Sequence, residues 1–209
     1  MAASRPRVRK SPEYRRQQII DAAVRLIGVN GFNGTSLKDI ADEVGLTQAG
    51  LLHYVDSKEG VLSLVITDVY DVEGSPDEFL RSGLPGSDPQ APHFPAYLRY
   101  LVRCNEARRP LSQMFTVLQT EALSPTHPLH DMFAHRPEDV WDQYSQYPWA
   151  LPEVVGGWEL GMRPIVRRCI AMMDGLQLRW LRDPPIVLSD EWAAFEQMIF
   201  PSPLWDPYR

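Results

Sequence analysis

Apolar residues recur along most of this chain at the three- and four-residue spacing of an α-helix, and strand-like alternation never persists. The first such stretch begins at Ser11, which can cap a helix starting at Pro12, and it ends at Gly31. Its apolar face consists of Ile19, Ala22, Ala23, Leu26 and Ile27. The pattern predicts an all-α protein that opens with a long helix.

Three shorter helices are predicted directly after the first. Ser36 opens the first of them with a capping box, in which Asp39 takes the place of the usual glutamate, and Gly45 ends it. Thr47 caps the next helix, and Ser57 caps the one after that. Short helices with regular punctuation predict a small helical domain.

The composition changes after about residue 60. Seventeen of the nineteen prolines lie in residues 61–209, and all six tryptophans lie after residue 140. This half is predicted to contain longer helices interrupted by proline-rich loops, with Gly74–Pro95 as a loop or lid. We therefore divide the chain into a helical domain of residues 1–60 and a larger helical domain of residues 61–209.

The segment Ser36–Val55 has the spacing of a helix-turn-helix. Ala41 is small enough for two helices to cross closely, and Gly45 allows the positive φ that the turn needs. Leu51 can fill the angle between the helices, and the second helix then presents its first residues to a major groove. An ordinary helical hairpin has the same spacing, so spacing alone leaves both interpretations open.

Charge is unevenly distributed in this chain of net charge −6. Residues 1–60 carry nine lysines and arginines against seven acidic residues, whereas the remainder carries twelve against twenty. Residues 1–16 contain six basic residues and only one acidic residue, Glu13. A basic N-terminal arm on an acidic body favours a polyanion such as double-stranded DNA as partner of that end, although a solvated tail has the same composition.

Residues 31–62, GFNGTSLKDIADEVGLTQAGLLHYVDSKEGVL, resemble the DNA-binding domain of TetR-type transcriptional regulators. Leu52 stands where that family usually has a tyrosine that touches phosphate, and Val55 where it has phenylalanine. The resemblance covers about the first 70 residues; residues 123–133 and 172–181 resemble ligand-binding segments of the family less specifically. It implies an N-terminal three-helix helix-turn-helix domain followed by a larger helical ligand-binding and dimerisation domain.

The resemblance places the DNA contacts at the second helix of the motif. They fall on Thr47, Gln48, Ala49, Gly50, His53 and Tyr54. The Gln48 amide can bond bidentately to adenine, whereas Ala49 and Gly50 either touch a thymine methyl or merely permit close approach. His53 and Tyr54 are expected to meet phosphates or to pack against the first helix. The predicted set is completed by Ser36 and by two phosphate contacts, Thr35 and Lys58.

A late helix carries apolar residues on two sides, so both sides should be buried. One stripe is Ile165, Cys169, Met172, Leu176 and Trp180, and the other is Val166, Ile170, Met173, Gln177 and Leu181. Gly175 would let two helices approach closely. We expect a homodimer through this helix, at Met172, Gly175, Leu176 and Trp180; a central helix of a monomer is the alternative.

Aromatic side chains are dense between residues 97 and 158. They can line a pocket for a mainly apolar small-molecule effector, or they can simply fill a core. The predicted effector-binding residues are Tyr97, Tyr100, Phe115, Phe133, Trp141, Tyr144 and Trp158. His127, His130 and His135 suggest a metal site, but their proline-rich context indicates a helix start. No metal and no cofactor is therefore predicted.

These features predict a cytoplasmic, ligand-responsive transcriptional regulator and not an enzyme. The two cysteines form no CxxC pair, no apolar run approaches the ~20 residues that span a bilayer, and the nucleophile-elbow, P-loop and dinucleotide motifs are absent. We expect a homodimeric repressor that an effector releases from a palindromic operator. The alternatives are a constitutive DNA-binding protein without effector and an enzyme acting on an aromatic or lipid-like molecule.

Overall fold

The computed structural model describes residues 11–209, and the regular secondary structure in that range is helical, which confirms the all-α prediction. The α-helices are α1 (Pro12–Asn30), α2 (Leu37–Glu43), α3 (Gln48–Leu51), α4 (Lys58–Val65), α5 (Pro76–Arg81), α6 (Phe94–Ala107), α7 (Arg109–Glu121), α8 (His130–Tyr144), α9 (Arg163–Arg182) and α10 (Leu188–Ile199). A π-helical turn, Ile66–Tyr70, continues α4, and a second one, Trp158–Met162, leads into α9.

The helix starts in the N-terminal half lie where the sequence places them. Each predicted cap accepts a hydrogen bond from a backbone N–H three residues later; the caps are Ser11, Ser36, Thr47 and Ser57. The Asp39 carboxylate in turn accepts a hydrogen bond from the N–H of Ser36, so the capping box is complete. Gly31 and Gly45, which follow α1 and α2, both have positive φ, at 75° and 68°.

The prediction of a loop over Gly74–Pro95 is wrong for the first part of that segment, where α5 forms. Ser75 accepts a hydrogen bond from the N–H of Glu78, and Pro76 occupies the first helical position. This is the same start signal as at α1, and Phe79 anchors the helix because its side chain is buried. A short helix therefore covers α6 where a lid was expected.

The buried apolar residues form two hydrophobic cores. The first combines the inner faces of α1–α4 with residues of α7, including Met114, Phe115 and Leu118. The second joins α5, α6, α8, α9 and α10 and includes the C-terminal Trp205. Helix α4 passes through residue 60 without a break, and its Val61 belongs to the first core. The two halves of the chain are thus joined by continuous helix and by shared packing on α7.

Helix α9 has one inward face rather than the two predicted stripes. Its buried residues are Val166, Cys169, Met173, Gln177 and Trp180. They come from both stripes, because the two stripes are centred about 100° apart around the helix and the inward face lies between them. The interface prediction is wrong for Trp180, whose side chain is buried in its own subunit with the Arg109 guanidinium 4.5 Å above its ring.

Candidate nucleic-acid interface and ligand cavity

Helices α2 and α3 form a helix-turn-helix around a glycine. The N–H of Leu46 donates to the carbonyl of Ala41 at 2.8 Å, which closes the turn, and Gly45 supplies the positive φ. Ala41 and Leu51 are both buried between the helices, as their spacing predicts. Packing therefore fixes the angle at which α3 leaves the domain.

The start of α3 and the residues after it form an exposed surface. Thr47, Gln48 and Ala49 are exposed, and so are His53 and Tyr54. Leu52, at the position where a tyrosine was expected, is 39% exposed and contributes an apolar side chain to the same surface. Gly50, also in the predicted set, is half-buried, and its N–H donates to the Thr47 hydroxyl at 3.0 Å.

Two predicted phosphate contacts have partners inside the protein. Thr35 is only 2% exposed, and its hydroxyl donates to the carbonyl of Gly31 at 2.9 Å, so the structure contradicts its prediction as a side-chain contact. The Lys58 ammonium lies 4.0 Å above the Phe32 ring but remains half-buried at the surface. The Ser36 hydroxyl, although exposed, donates to the Asp39 carboxylate at 2.7 Å within the cap.

Most of the predicted basic arm, namely Arg5, Arg7, Arg9 and Lys10, lies outside the described residues. Arg15, the next basic residue, belongs to α1. Its guanidinium donates to the carbonyl of Val44 at 3.0 Å, at the C-terminal end of α2 where the helix dipole favours a cation. Arg15 therefore holds α1 against the helix-turn-helix.

A cavity lies where the end of the α4 segment meets α6–α9. Its volume is about 110 Å³, and its lining is mainly apolar. Lining residues on the linking segment and on the surrounding helices include Tyr70, Gly74, Leu98, Phe115, Val140 and Ile170. A partly enclosed apolar space of this kind suits a small organic molecule.

The structure brings three of the seven predicted effector residues to this cavity: Tyr97, Phe115 and Tyr144. The other four, Tyr100, Phe133, Trp141 and Trp158, do not line it. The rings of Trp141 and Trp158 stack with centroids 4.9 Å apart in the second core, and Phe133 packs against the first. Phe133, Trp141 and Trp158 are thus packed in the hydrophobic cores of this structure.

Sequence reasoning missed the polar residues of the cavity. Arg136 donates to the Asp71 carboxylate at 2.6 Å, and its guanidinium lies 4.9 Å from the centroid of Phe115. Asp174 accepts a hydrogen bond from Gln119 at 2.9 Å, and burial raises the pKa of its carboxyl group. The available signal was polar residues in the apolar helix segment AMMDGLQL, at Asp174 and Gln177.

The three clustered histidines are each bonded to nearby backbone. The Nδ1 atom of His127 accepts from the N–H of Leu129 at 3.2 Å, and the Nδ1 atoms of His130 and His135 lie 2.8 and 2.7 Å from the carbonyls of Ala122 and Asp131. Across residues 11–209, no group of three or more potential ligands converges on a metal position. The histidines thus shape the α7–α8 turn and the start of α8.

Small and apolar residues that are exposed on α9 and on α10 form a candidate contact face. Ala171, Gly175 and Leu178 lie on α9, and Met198, which is 80% exposed, lies on α10. A Cβ atom at Gly175 would have no neighbour within 4 Å. Of the predicted interface residues, Met172 and Leu176 are half-buried beside this face. Separately, no helix in residues 11–209 has the length and apolar character needed to cross a bilayer.

The N-terminal segment is similar to known proteins. Residues 19–65 match the model of bacterial regulatory proteins of the tetR family. One curated relative is the HTH-type transcriptional repressor KstR2 of Rhodococcus jostii, 34% identical over 71 residues, which are 34% of this chain and 35% of the relative. The chain thus matches about a third of that relative's length.

Solved structures show the same fold over most of the chain. A putative TetR-family transcriptional regulator from Rhodococcus sp. has a TM-score of 0.63 at 19% identity, covering 90% of this chain and 97% of that one. AibR in complex with isovaleryl coenzyme A and operator DNA has a TM-score of 0.57 at 19% identity, covering 90% and 98%. The likeness confirms an N-terminal helix-turn-helix domain followed by a larger helical domain.

Proposed function

We propose, from the premise that this chain is TetR-type in its N-terminal sequence and in its fold, that it is a ligand-responsive transcriptional repressor. It binds a palindromic duplex as a homodimer, and a small molecule in the cavity releases it. The relative named a repressor and the similar structure solved with a coenzyme A ester and operator DNA support this function.

One observation carries the proposal: a continuous helical segment joins the DNA-binding surface to the cavity. It begins at Lys58, directly after the exposed recognition region, and runs through α4 and the π-helical turn to Tyr70 in the cavity wall. Val61, Leu62 and Val65 pack this segment into the first core, together with α1. A ligand that moves its cavity end would therefore act on the position of the recognition helix.

Release requires that the effector bind one arrangement of the two domains more tightly than the other. Thermodynamic linkage then requires the effect to be mutual: bound DNA must lower the affinity for effector by the same factor by which bound effector lowers the affinity for DNA. The cavity favours this function over constitutive DNA binding, since a protein without effector needs no lined space beside the linking helix. It remains our proposal that the chain is not an enzyme; burial raises the pKa of Cys169 in the cavity wall to about 12, which keeps that thiol protonated.

The DNA part is tested by selecting binding sites from random duplexes with the full-length protein. We expect an inverted repeat with half-sites about 34 Å apart, and affinity that falls steeply with salt. Gln48→Ala should relax selectivity at one base position and cost ~1–3 kcal/mol of binding free energy. Gln90→Ala, which removes an exposed glutamine outside the interface, is the matched control. A flat sequence profile would refute the proposal.

A further inference from the structure

We propose that the cavity binds an organic monocation, a protonated amine carried on an aromatic or alkyl body, with Asp174 as its counter-ion and Gln177 as a second hydrogen-bond acceptor. This inference rests on the proposed function, because it names the class of effector for the same cavity. It departs from the mainly apolar effector that the sequence predicts by adding one positive charge.

The charges that line the cavity do not balance. Asp71 is paired with Arg136, whose two terminal nitrogens lie 2.6 and 3.4 Å from its oxygens. Glu73 is paired with Arg108 at 2.8 Å. Asp174 lines the same cavity and has no ion-pair partner in the described part of the chain. Three carboxylates and one cation, Arg136, line the cavity, and with Arg108 as the partner of Glu73 only Asp174 is left without a cation.

A second, independent polar group in the cavity wall lacks a hydrogen-bond donor. The Gln177 side chain is only 3% exposed, and its Oε1 atom has no hydrogen-bond partner in the described part of the chain. It lies three residues after Asp174 on α9, which places both residues on one side of the helix, and both line the cavity. Buried polar groups are almost always bonded, so an unbonded acceptor beside an unpaired carboxylate indicates a ligand that donates N–H.

Aromatic rings supply part of the wall. Tyr70 and Phe115 stack with centroids 3.9 Å apart, and Tyr97 and Tyr144 lie on the opposite helices. Ring faces attract cations, and the Arg136 guanidinium already lies over the Phe115 ring. Burial raises the pKa of the Tyr144 hydroxyl to about 12, so this ring adds no charge at neutral pH.

An anionic ligand fits the same wall poorly. The Arg136 guanidinium is the cation that would hold it, and the Asp71 carboxylate already occupies that position. An incoming carboxylate would have to displace Asp71 and would then lie near the carboxyl group of Asp174, whose pKa burial raises although the charge of Arg136 opposes that shift. A cation meets neither obstacle.

The test is calorimetric titration of the full-length protein with probes that differ only in their head group. One series is 2-phenylethylammonium, 2-phenylethanol and 3-phenylpropanoate, and a second carries the same three heads on an octyl body. We expect the better ammonium probe to bind at least tenfold more tightly than its alcohol and carboxylate counterparts. Equal binding of alcohol and ammonium, preference for the carboxylate, or no ammonium binding up to 10 mM would overturn the proposal.

Variants then locate the charge. Asp174→Asn keeps the shape of the side chain and should weaken the ammonium probe at least tenfold while leaving the alcohol unchanged. Gln177→Met should weaken it about threefold. Asp142→Asn, which removes an exposed carboxylate on α8, should change neither. Undiminished ammonium binding by a folded Asp174→Asn protein would overturn the assignment of the counter-ion.

Operator binding, measured by fluorescence anisotropy on the selected duplex, separates the two proposals. If the protein selects a duplex but shows no preference for ammonium, the ligand class is wrong and the regulatory function stands. If ammonium binding depends on Asp174 but no duplex is selected, the cavity assignment stands and the regulatory function is wrong. Weakening of operator binding by the ammonium probe would support both.

Discussion

Gly31 lies at one of the contacts between the two halves of the molecule. Its φ is 75°, and the next N–H, of Phe32, donates to the Glu121 carboxylate of α7 at 2.7 Å. A Cβ atom at Gly31 would lie 2.3 Å from a Glu121 oxygen. The glycine is therefore required twice, once by the backbone conformation and once by the close approach of the carboxylate.

Gly31→Ala should lower the free energy of unfolding by about 1–3 kcal/mol, because it strains the backbone and displaces Glu121. Gly45→Ala is the matched control: its φ is 68°, but no atom lies within 4 Å of the added methyl group. It should cost less, about 1–2 kcal/mol from the backbone alone. Urea unfolding of both variants gives the comparison, and an equal loss would show that the Glu121 contact adds nothing.

His127 lies in the same junction and makes it sensitive to acid. Its ring packs edge-on against Phe32 with centroids 5.3 Å apart. Burial lowers the pKa of His127 below its usual 6.5; the Glu121 carboxylate opposes that shift and the Lys58 charge reinforces it. Below pH 6.5 the unfolded chain takes up a proton that the folded chain resists, so stability falls as the pH falls through and below that value.

His127→Asn should reduce this loss, since the amide oxygen can replace Nδ1 as acceptor for the N–H of Leu129 without titrating. The melting temperature between pH 5 and 8 should fall less steeply below pH 6.5 in the variant than in the natural protein. His135→Asn, at an exposed histidine, should leave the slope unchanged. The same slope in all three proteins would exclude His127 as the titrating group.

Single residues were predictable where their role is local. Ser57 and Gly45 act on backbone within a few positions, so residue type and spacing identify them. Thr35 was misassigned because residue type does not tell which way a side chain faces, and here it faces inward. The role of Asp174 was missed because the sequence does not show that this single acidic residue of an apolar helix lines a cavity.

Among the elements, α3 depends most on its cap. It has four residues, Gln48–Leu51, too few to be stable by itself, and the Thr47 hydroxyl accepts from the N–H of Gly50. Thr47→Ala should cost about 1 kcal/mol in the free energy of unfolding and should weaken operator binding further by loosening Gln48. Thr47→Ser keeps the hydroxyl and should restore both. Denaturant unfolding and anisotropy measure the two effects; a serine variant as weak as the alanine variant would point to the lost methyl group instead.

For helix α9, the spacing of apolar residues predicted the helix but not which of its faces is buried. The sequence predicted a helix around residues 165–181 with apolar residues on two sides, and the helix is Arg163–Arg182. Its inner face could not be chosen from the pattern, since neighbouring helices decide which side is buried. Trp180 was therefore assigned to the wrong side, whereas Gly175 lies on the open one.

On the scale of the whole molecule, the fold class followed from helical spacing, but the position of the cavity did not. The cavity forms where segments distant in sequence meet: Asp71 and Arg136 are 65 positions apart, and Asp174 lies on a third element. Aromatic density indicated the correct half of the chain. It did not distinguish Tyr97, in the wall, from Trp141, in the core, because both positions are apolar and buried.

The last prediction concerns the open face of α9 and α10, which we expect to form the homodimer. Glycine at position 175 leaves space for a second helix, and a larger side chain fits within one subunit because nothing lies within 4 Å. Gly175→Glu should therefore leave the subunit folded while placing an unpaired charge in the interface. Ala134→Glu, at an exposed position on α8, is the matched control.

Sedimentation at micromolar concentration should give a dimer for the natural protein and for Ala134→Glu, and a folded monomer for Gly175→Glu. Because a palindromic operator presents two half-sites to two recognition helices, the monomer should also bind the selected duplex at least tenfold more weakly. If the natural protein sediments as a monomer, the prediction of a palindromic operator fails as well, because that prediction assumes two recognition helices in one dimer. If Gly175→Glu stays dimeric, then the subunits meet through another surface and this face needs another explanation.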